Sequence, residues 1–462
     1  MKKIRFPHSY VLIFYVIIFV TLLTYILPAG NFERAVDTET GITYVVAESF
    51  QPMDRNPVTP FRMFTGILEG MLDAADVIFF VLIVGGAFGV IHKTGALTIF
   101  LGHIARLNQR RGKILIILIM IIFALFGTFF GTAEEALPLY PIFISVAIAL
   151  GYDAFTGVAM ILLGTGAGFA AGIFNPFTTG VAQILAELPL FSGYQFRILA
   201  YLLLLLPTIY YVLRYVKRIE LHPSSSLTYE GDQYRNKQLN FDNIPKLQKE
   251  HVRVLLVMVI SMGFLIYIIS FWEYSSGRMA AVFIIMGILS GVVAKLDSSV
   301  IASEFVKGSS NIVYGALIIG LARGISVIME NGDILDSLIY YLSTSIKGFG
   351  TIGVGLGMFF IQSFINIFIA SGSGQAAAVI PIMKSIGDLT DLSRQTVVLA
   401  YQFGDGFSNI ISPTSGYFMA ALAIGRINWK KWAKWVFPLF LYWCAAGVFL
   451  IILSILIQLG PY

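Results

Sequence analysis

At 462 residues, with 57% of them hydrophobic and only 12% charged, the chain is too poor in charge for a soluble fold and reads as a polytopic membrane protein. Its net charge of +5 comes from Lys and Arg gathered at the ends of apolar segments, a membrane-topology pattern that argues against a nucleic-acid partner. The single cysteine, Cys444, allows no intrachain disulfide, and no Walker motif, phosphate loop, metal-ligand spacing or nucleophile elbow points to ATP-driven pumping or to an enzyme.

Apolar runs of about twenty residues mark the spans. The first, about 9–28, follows a short basic N-terminus. Its run from Tyr10 to Leu27 exceeds a signal-peptide core and no Ala-x-Ala site follows, so it is expected to be retained. A polar loop, 30–59, and an amphipathic stretch, Pro60 to Ala75, lead into a second span at about 76–92. The acidic stripe Glu69, Asp73 and Asp76 reads as a solvated face. After an amphipathic piece at 95–107, an apolar hairpin covers about 114–150, its arms joined at Gly131 to Ala136. A broken third span, about 154–187, and a fourth, about 196–216, close the first half, 1–216.

A basic linker, 217–251, is too short and too charged to bury a core of its own. In the second half, 252–462, spans five and six fall at about 252–271 and 279–296. An amphipathic stretch near 301–310 precedes the seventh, about 312–329. An amphipathic segment, 332–346, leads to a second hairpin at about 350–386. A broken eighth span, about 391–424, and a ninth, about 435–458, complete the chain. The expected architecture is all-α: nine crossings plus two re-entrant hairpins. Lys and Arg counts put the N-terminus in the cytoplasm and the C-terminus outside a bacterial inner membrane. If each hairpin were a full span, the basic segments 214–253 and 426–434 would fall on opposite sides.

Two stretches organise this layout. Gly131-Thr132-Ala-Glu134-Glu135 interrupts the first hairpin, and Ser371-Gly-Ser373-Gly-Gln375 interrupts the second. Each is followed by a Gly-rich span broken at a proline, at Asn175-Pro176 and at Ser412-Pro413, 237 residues apart. Pro141 and Pro381 correspond at a spacing of 240, and Val90-Ile91 and Val327-Ile328 at 237. Five crossings lie between the ends of spans two and seven, so the second copy is inverted and the hairpins enter from opposite faces. Broken helices at matching points of inverted halves mark a transporter's central site.

The chemistry follows from polar groups at that depth. Glu134 and Glu135 cannot both ionise at low dielectric without a nearby cation, whether a proton, sodium or a substrate's amino or guanidino group. Asp405 is a third buried acid, and Arg323, inside span seven, is expected to pair with one of these acids or with substrate. Thr132, Asn175, Thr178, Thr179, Ser371, Ser373, Gln375, Ser408, Asn409, Ser412, Thr414 and Ser415 add hydroxyls and amides that suit substrate or sodium, though singly each also suits helix packing. No cofactor is expected beyond a coupling Na+ or H+. A membrane aspartyl protease is the competing class, because Gly404-Asp405 matches part of a Gly-x-Gly-Asp motif. Residue 402 is Gln, however, and the partner candidate Asp153 is placed at a helix end near water.

Through Gly131-Thr-Ala-Glu-Glu135, Gly404-Asp-Gly-Phe-Ser-Asn409, the paired hairpins and the paired breaks, nearly the whole chain resembles the ion transporter superfamily. The nearest branch is the YfcC-like family within the C4-dicarboxylate anaerobic carrier grouping. The resemblance implies an elevator-like secondary transporter, a homodimer, with a small-molecule substrate held between hairpin tips and helix breaks. Neither tip carries the Ser-Asn-Thr signature of the dicarboxylate symporters, and relatives in this branch are assigned to basic amino-acid exchange. An amino-acid carrier is therefore the first expectation and a C4-dicarboxylate carrier the second.

Overall fold

The computed structural model describes residues 9–38, 43–97, 99–100, 112–131, 134–229, 232, 247–271 and 276–460. Among the described residues the regular structure is helical apart from four short strands. In order it forms α1 (Ser9–Leu23), β1 (Ala29–Asn31), β2 (Arg34–Val36), β3 (Thr43–Val45), β4 (Gln51–Met53), α2 (Pro60–Asp73) and α3 (Ala75–Lys93). Next come α4 (Gly112–Phe130), a 3-10 turn (Glu134–Leu139), α5 (Tyr140–Ala149), α6 (Ala154–Ala171), a π turn (Pro176–Gly180), α7 (Val181–Leu185) and α8 (Tyr194–Leu221). The remainder is α9 (Lys249–Phe271), α10 (Ser276–Val293), α11 (Ser298–Asn331), α12 (Leu335–Thr344), α13 (Thr351–Ile365), α14 (Gly372–Leu389), α15 (Arg394–Ser408), α16 (Gly416–Gly425) and α17 (Trp429–Leu456).

Among the described residues, six helical segments are long and apolar enough to cross a bilayer: Ala75–Lys93, Gly112–Phe129, Ala154–Leu185, Tyr194–Leu221, Ser298–Asn331 and Trp429–Leu456. Local chemistry sets several boundaries. Thr59 caps α2 by accepting from the Arg62 amide, with Pro60 opening the helix. Ser393 caps α15 through the Thr396 amide. Asp153 caps α6, accepting from the Thr156 amide at 2.8 Å.

The helices sort into two packed groups, and each draws on both halves of the sequence. One joins α1, α2, α3, α9, α10 and α11; the other joins α4 to α8 with α13 to α17. Within the first group α2 and α3 lie along α11 for most of its 34 residues, about 51 Å at 1.5 Å per residue. Gly70 of α2 faces Gly324 of α11, and Gly89 of α3 faces Gly308, so the backbones touch on both sides of the α2–α3 break. The main direct seam between the groups is α11 against α16, where Gly416 meets Ile319 and Gly315 meets Ala420.

Two expectations change here. The stretch 301–310 is not a separate amphipathic piece: it is continuous with the seventh span in α11, because no breaker intervenes. The amphipathic segment 60–75 forms α2, which packs against α11. The loop 30–59 is not irregular throughout. It holds nested antiparallel ribbons, β1 with β4 (Ala29↔Met53) and β2 with β3 (Arg34↔Val45). These ribbons are pinned to the segment after α11: the Phe32 amide donates to Asp336 Oδ2 at 3.0 Å, Arg34 pairs with Asp336 at 3.0 Å, and Phe50 stacks on Tyr340. Most of the amphipathic piece 95–107 and the middle of the linker 217–251 lie outside the described residues.

Candidate functional site

A cavity of about 390 Å³ lies where the two groups meet. Asp73, Ala74 and Val77 from the α2–α3 junction, and Ile319, Ala322, Arg323 and Ser326 from α11, form one wall. The other wall comes from Gly131 after α4, Phe177 and Thr178 in the first break, Ala370 to Ser373 at the start of α14, and Asn409, Thr414, Gly416 and Tyr417 around the second break. Both turn segments and both breaks therefore reach one chamber.

Each break brings polar backbone into the bundle and supplies its own partners. Asn175 accepts from the amides of Phe177 at 3.0 Å and Thr178 at 3.2 Å, making good the start of a turn whose first residue, Pro176, has no N–H. Gly131 sits at φ +59, and a Cβ there would stand 2.5 Å from Asn175 Oδ1, so only glycine lets the first turn approach the first break this closely. Ser371 caps α14. In the second break Asn366 donates from Nδ2 to the Asp405 carbonyl, to Ser408 Oγ and to Asn409 Oδ1, at 3.1, 2.8 and 3.0 Å.

Of the residues expected at the site, Thr178, Arg323, Ser371, Ser373, Asn409 and Thr414 line the chamber. Others lie behind it. Thr179 donates to the Gly172 carbonyl at 2.8 Å and to Gln402 Oε1 at 3.0 Å. Ser408 donates to the Gly404 carbonyl, and Ser412 shares a hydrogen bond with Thr414. Ser415 precedes α16 and is buried. Gln375 donates to the carbonyl and to Oε1 of Gln362, tying α14 to α13. Thr132 and the side chains of Glu134 and Glu135 lie outside the described structure, although the backbone of the pair opens the 3-10 turn just after Gly131.

Asp405 is fully buried one layer behind the chamber. Its Oδ1 accepts from Asn409 Nδ2 at 3.3 Å, while Oδ2 has no hydrogen-bond partner among the described residues and faces Gly372, where an added Cβ would stand 3.2 Å away. The Thr178 methyl packs against the same glycine, and the Thr178 hydroxyl is likewise buried without a partner among the described residues.

Two expectations are corrected. Arg323 pairs through Nε with Asp73 Oδ2, an acid outside the expected three, and makes no ion pair with Asp405. Asp73 is exposed, as the acidic stripe Glu69, Asp73 and Asp76 led one to expect, and it also lines the chamber beside α11. Asp153 is not near water either. It is 3% exposed and accepts from Thr156, Tyr215 and Ser226 at the far end of α6, away from the Asp405 cluster, so no aspartyl dyad forms. Sequence reasoning missed Asp73, Gln362 and Asn366. The two amides carried a usable signal, since each interrupts an apolar arm.

The arrangement defines a multi-pass helical membrane protein with a polar chamber at the seam of two helix groups. The chain belongs to the C4-dicarboxylate anaerobic carrier (DcuC) family, whose model matches residues 6–456, and it is a membrane transporter. It is 32% identical over 473 residues to YfcC of Escherichia coli (strain K12), provisionally named a basic amino acid antiporter, with 94% of this chain and 93% of that protein covered. It is 28% identical over 504 residues to an uncharacterized protein of Haemophilus influenzae, covering 99% and 97%. Among solved structures it is similar to the YdaH transporter of Alcanivorax borkumensis, at 16% identity and TM-score 0.42, covering 98% of this chain and all of that one.

Proposed function

We propose that the protein is a secondary active transporter of the bacterial inner membrane that moves a basic amino acid, as a symporter or an exchanger. The observation that carries this reading is the chamber itself, which both helix groups wall and both breaks reach. A substrate there touches both groups, and sliding one group past the other along the α11–α16 seam would expose it to either side, an elevator-like motion. The α4–α5 and α13–α14 pairs are then the re-entrant hairpins of a nine-span inverted repeat, in a protein acting as a homodimer. The acids suit a cationic cargo: Asp73 in the wall, Asp405 behind it, and Glu134 and Glu135 three and four residues beyond Gly131. Asp405, with one oxygen unpartnered, is assigned the coupling cation, a proton or sodium. YfcC, by its provisional name, carries cargo of the same class.

A C4-dicarboxylate carrier is the second reading. Two observations favour it: Arg323 lines the chamber, and α14 and α16 begin there, presenting N-terminal amides that attract carboxylates. Uptake of labelled arginine, ornithine, succinate and fumarate into proteoliposomes, with and without sodium, separates the two. Arginine or ornithine uptake without succinate uptake is expected, and the converse would replace the first reading by the second.

A further inference from the structure

We infer that Asp73 and Arg323 together form the recognition site for the head of an α-amino acid, Asp73 taking the ammonium and Arg323 the carboxylate. This rests on the amino-acid reading above and assigns the part of the chamber that reads the substrate's shared end. The two side chains face each other from the α2–α3 junction and from α11, and both line the chamber. Their exposures, 47% for Asp73 and 33% for Arg323, leave part of the carboxylate and of the guanidinium uncovered. A charge pair needed only for packing would be expected to close on itself within the wall.

The geometry matches a zwitterion. An α-amino acid carries one positive and one negative group on adjacent atoms, and the wall presents one negative and one positive group in contact. Arg323 has donors beyond Nε, and a guanidinium binds a carboxylate best through two parallel bonds. Asp73 Oδ1 takes no part in the bond to Arg323 and can accept from an ammonium. Both residues belong to the α11 group, whereas the opposite wall includes the hydroxyl-bearing Ser371 and Ser373. The side chain of the amino acid would then point toward the turns, so that head and side chain are read by different helix groups. A succinate would satisfy Arg323 but set a second carboxylate beside Asp73, and like-charge repulsion disfavours it.

The test uses the purified full-length protein and four probes: L-arginine, agmatine, which lacks the carboxylate, 5-guanidinovalerate, which lacks the α-ammonium, and succinate. Wild-type protein should bind arginine at least tenfold more tightly than agmatine or 5-guanidinovalerate. Asp73→Asn should bring arginine down to the level of 5-guanidinovalerate while leaving that analogue's affinity unchanged. Arg323→Gln should bring arginine down toward agmatine. Comparing the analogues on wild-type protein keeps the inference exposed to failure even where a variant does not fold. Arginine bound no more tightly than its analogues would overturn the inference and spare the amino-acid reading. Equal weakening of arginine and 5-guanidinovalerate in Asp73→Asn would likewise make the pair structural. Binding of succinate with none of the arginine set would overturn both.

Discussion

Gly70 lies so close to Gly324 that a Cβ on Gly70 would stand 2.4 Å from the amide nitrogen of Gly324. That contact brings α2 against α11 one turn from Asp73 and one residue from Arg323, so it positions the charged pair of the chamber. Because the obstacle is backbone and not the end of a side chain, Gly70→Ala must push the helices apart, at about 1–3 kcal/mol. The variant should melt earlier in detergent and lose uptake. Gly263→Ala, where nothing lies within 4 Å of the added Cβ, should melt like wild type or slightly later. Equal melting of Gly70→Ala and wild type would mean that the two helices do not pack this closely.

The bond from Gln375 Nε2 to Gln362 Oε1, at 2.7 Å, joins α13 to α14 in a fully buried setting. Gln375→Leu would leave Gln362 Oε1 without its donor, at about 1–3 kcal/mol. Changing both residues to Leu removes donor and acceptor together and should cost less than the sum of the single changes. A double-mutant cycle on melting temperature reads this directly, and additivity within about 0.5 kcal/mol would argue against the pair.

Elements whose signals are local were legible in the sequence. Asn175-Pro176 and Ser412-Pro413 break helices wherever they stand, and the apolar arms on either side of Gly131 and Ser371 fold as helices at the expected boundaries. The position of Asp73 was not legible. Its role depends on α2 lying against Gly324, a residue about 250 positions away, and nothing in the amphipathic pattern of 60–75 reveals that partner. The same limit explains Arg323, whose need for an acid was readable but whose choice of acid was not. Strands of three residues, such as β2 and β3, are too short for alternation to show, and their register depends on contacts with Asp336 and Tyr340.

Glu187, in the connection between α7 and α8, accepts from Lys384 Nζ at 2.9 Å and from Arg394 at 2.6 Å. These bonds, Lys384's first, hold its carboxyl below the ordinary value of 4.5. A carboxylate with a depressed folded-state pKa contributes stability that is fully present above the unfolded value and lost as pH falls through the folded one. Glu187→Gln should therefore melt below wild type at pH 6, and the gap should close as the pH drops below 4.5. The site is largely exposed, so the gap should be small, at most about 1 kcal/mol, and should shrink in high salt. A gap that persists unchanged at pH 3 would assign the effect to something other than this charge.

Asp405 offers the sharpest separation of coupling from binding. Its carboxyl is buried with one oxygen unpartnered, and it lies behind the chamber, so it can take a proton or sodium without touching the cargo. Asp405→Asn keeps the shape and removes the charge. Because a buried, unpaired charge is costly, the variant should melt no earlier than wild type. In proteoliposomes it should still exchange labelled arginine for unlabelled arginine, since exchange needs only the chamber and the motion. It should fail to accumulate arginine against its gradient when a sodium or proton gradient is imposed, because the proposed link between the two flows would be gone. Uphill accumulation at the wild-type level would remove Asp405 from coupling and leave its burial as a packing feature of α15. Loss of exchange together with accumulation, in a variant that melts normally, would move Asp405 into cargo binding.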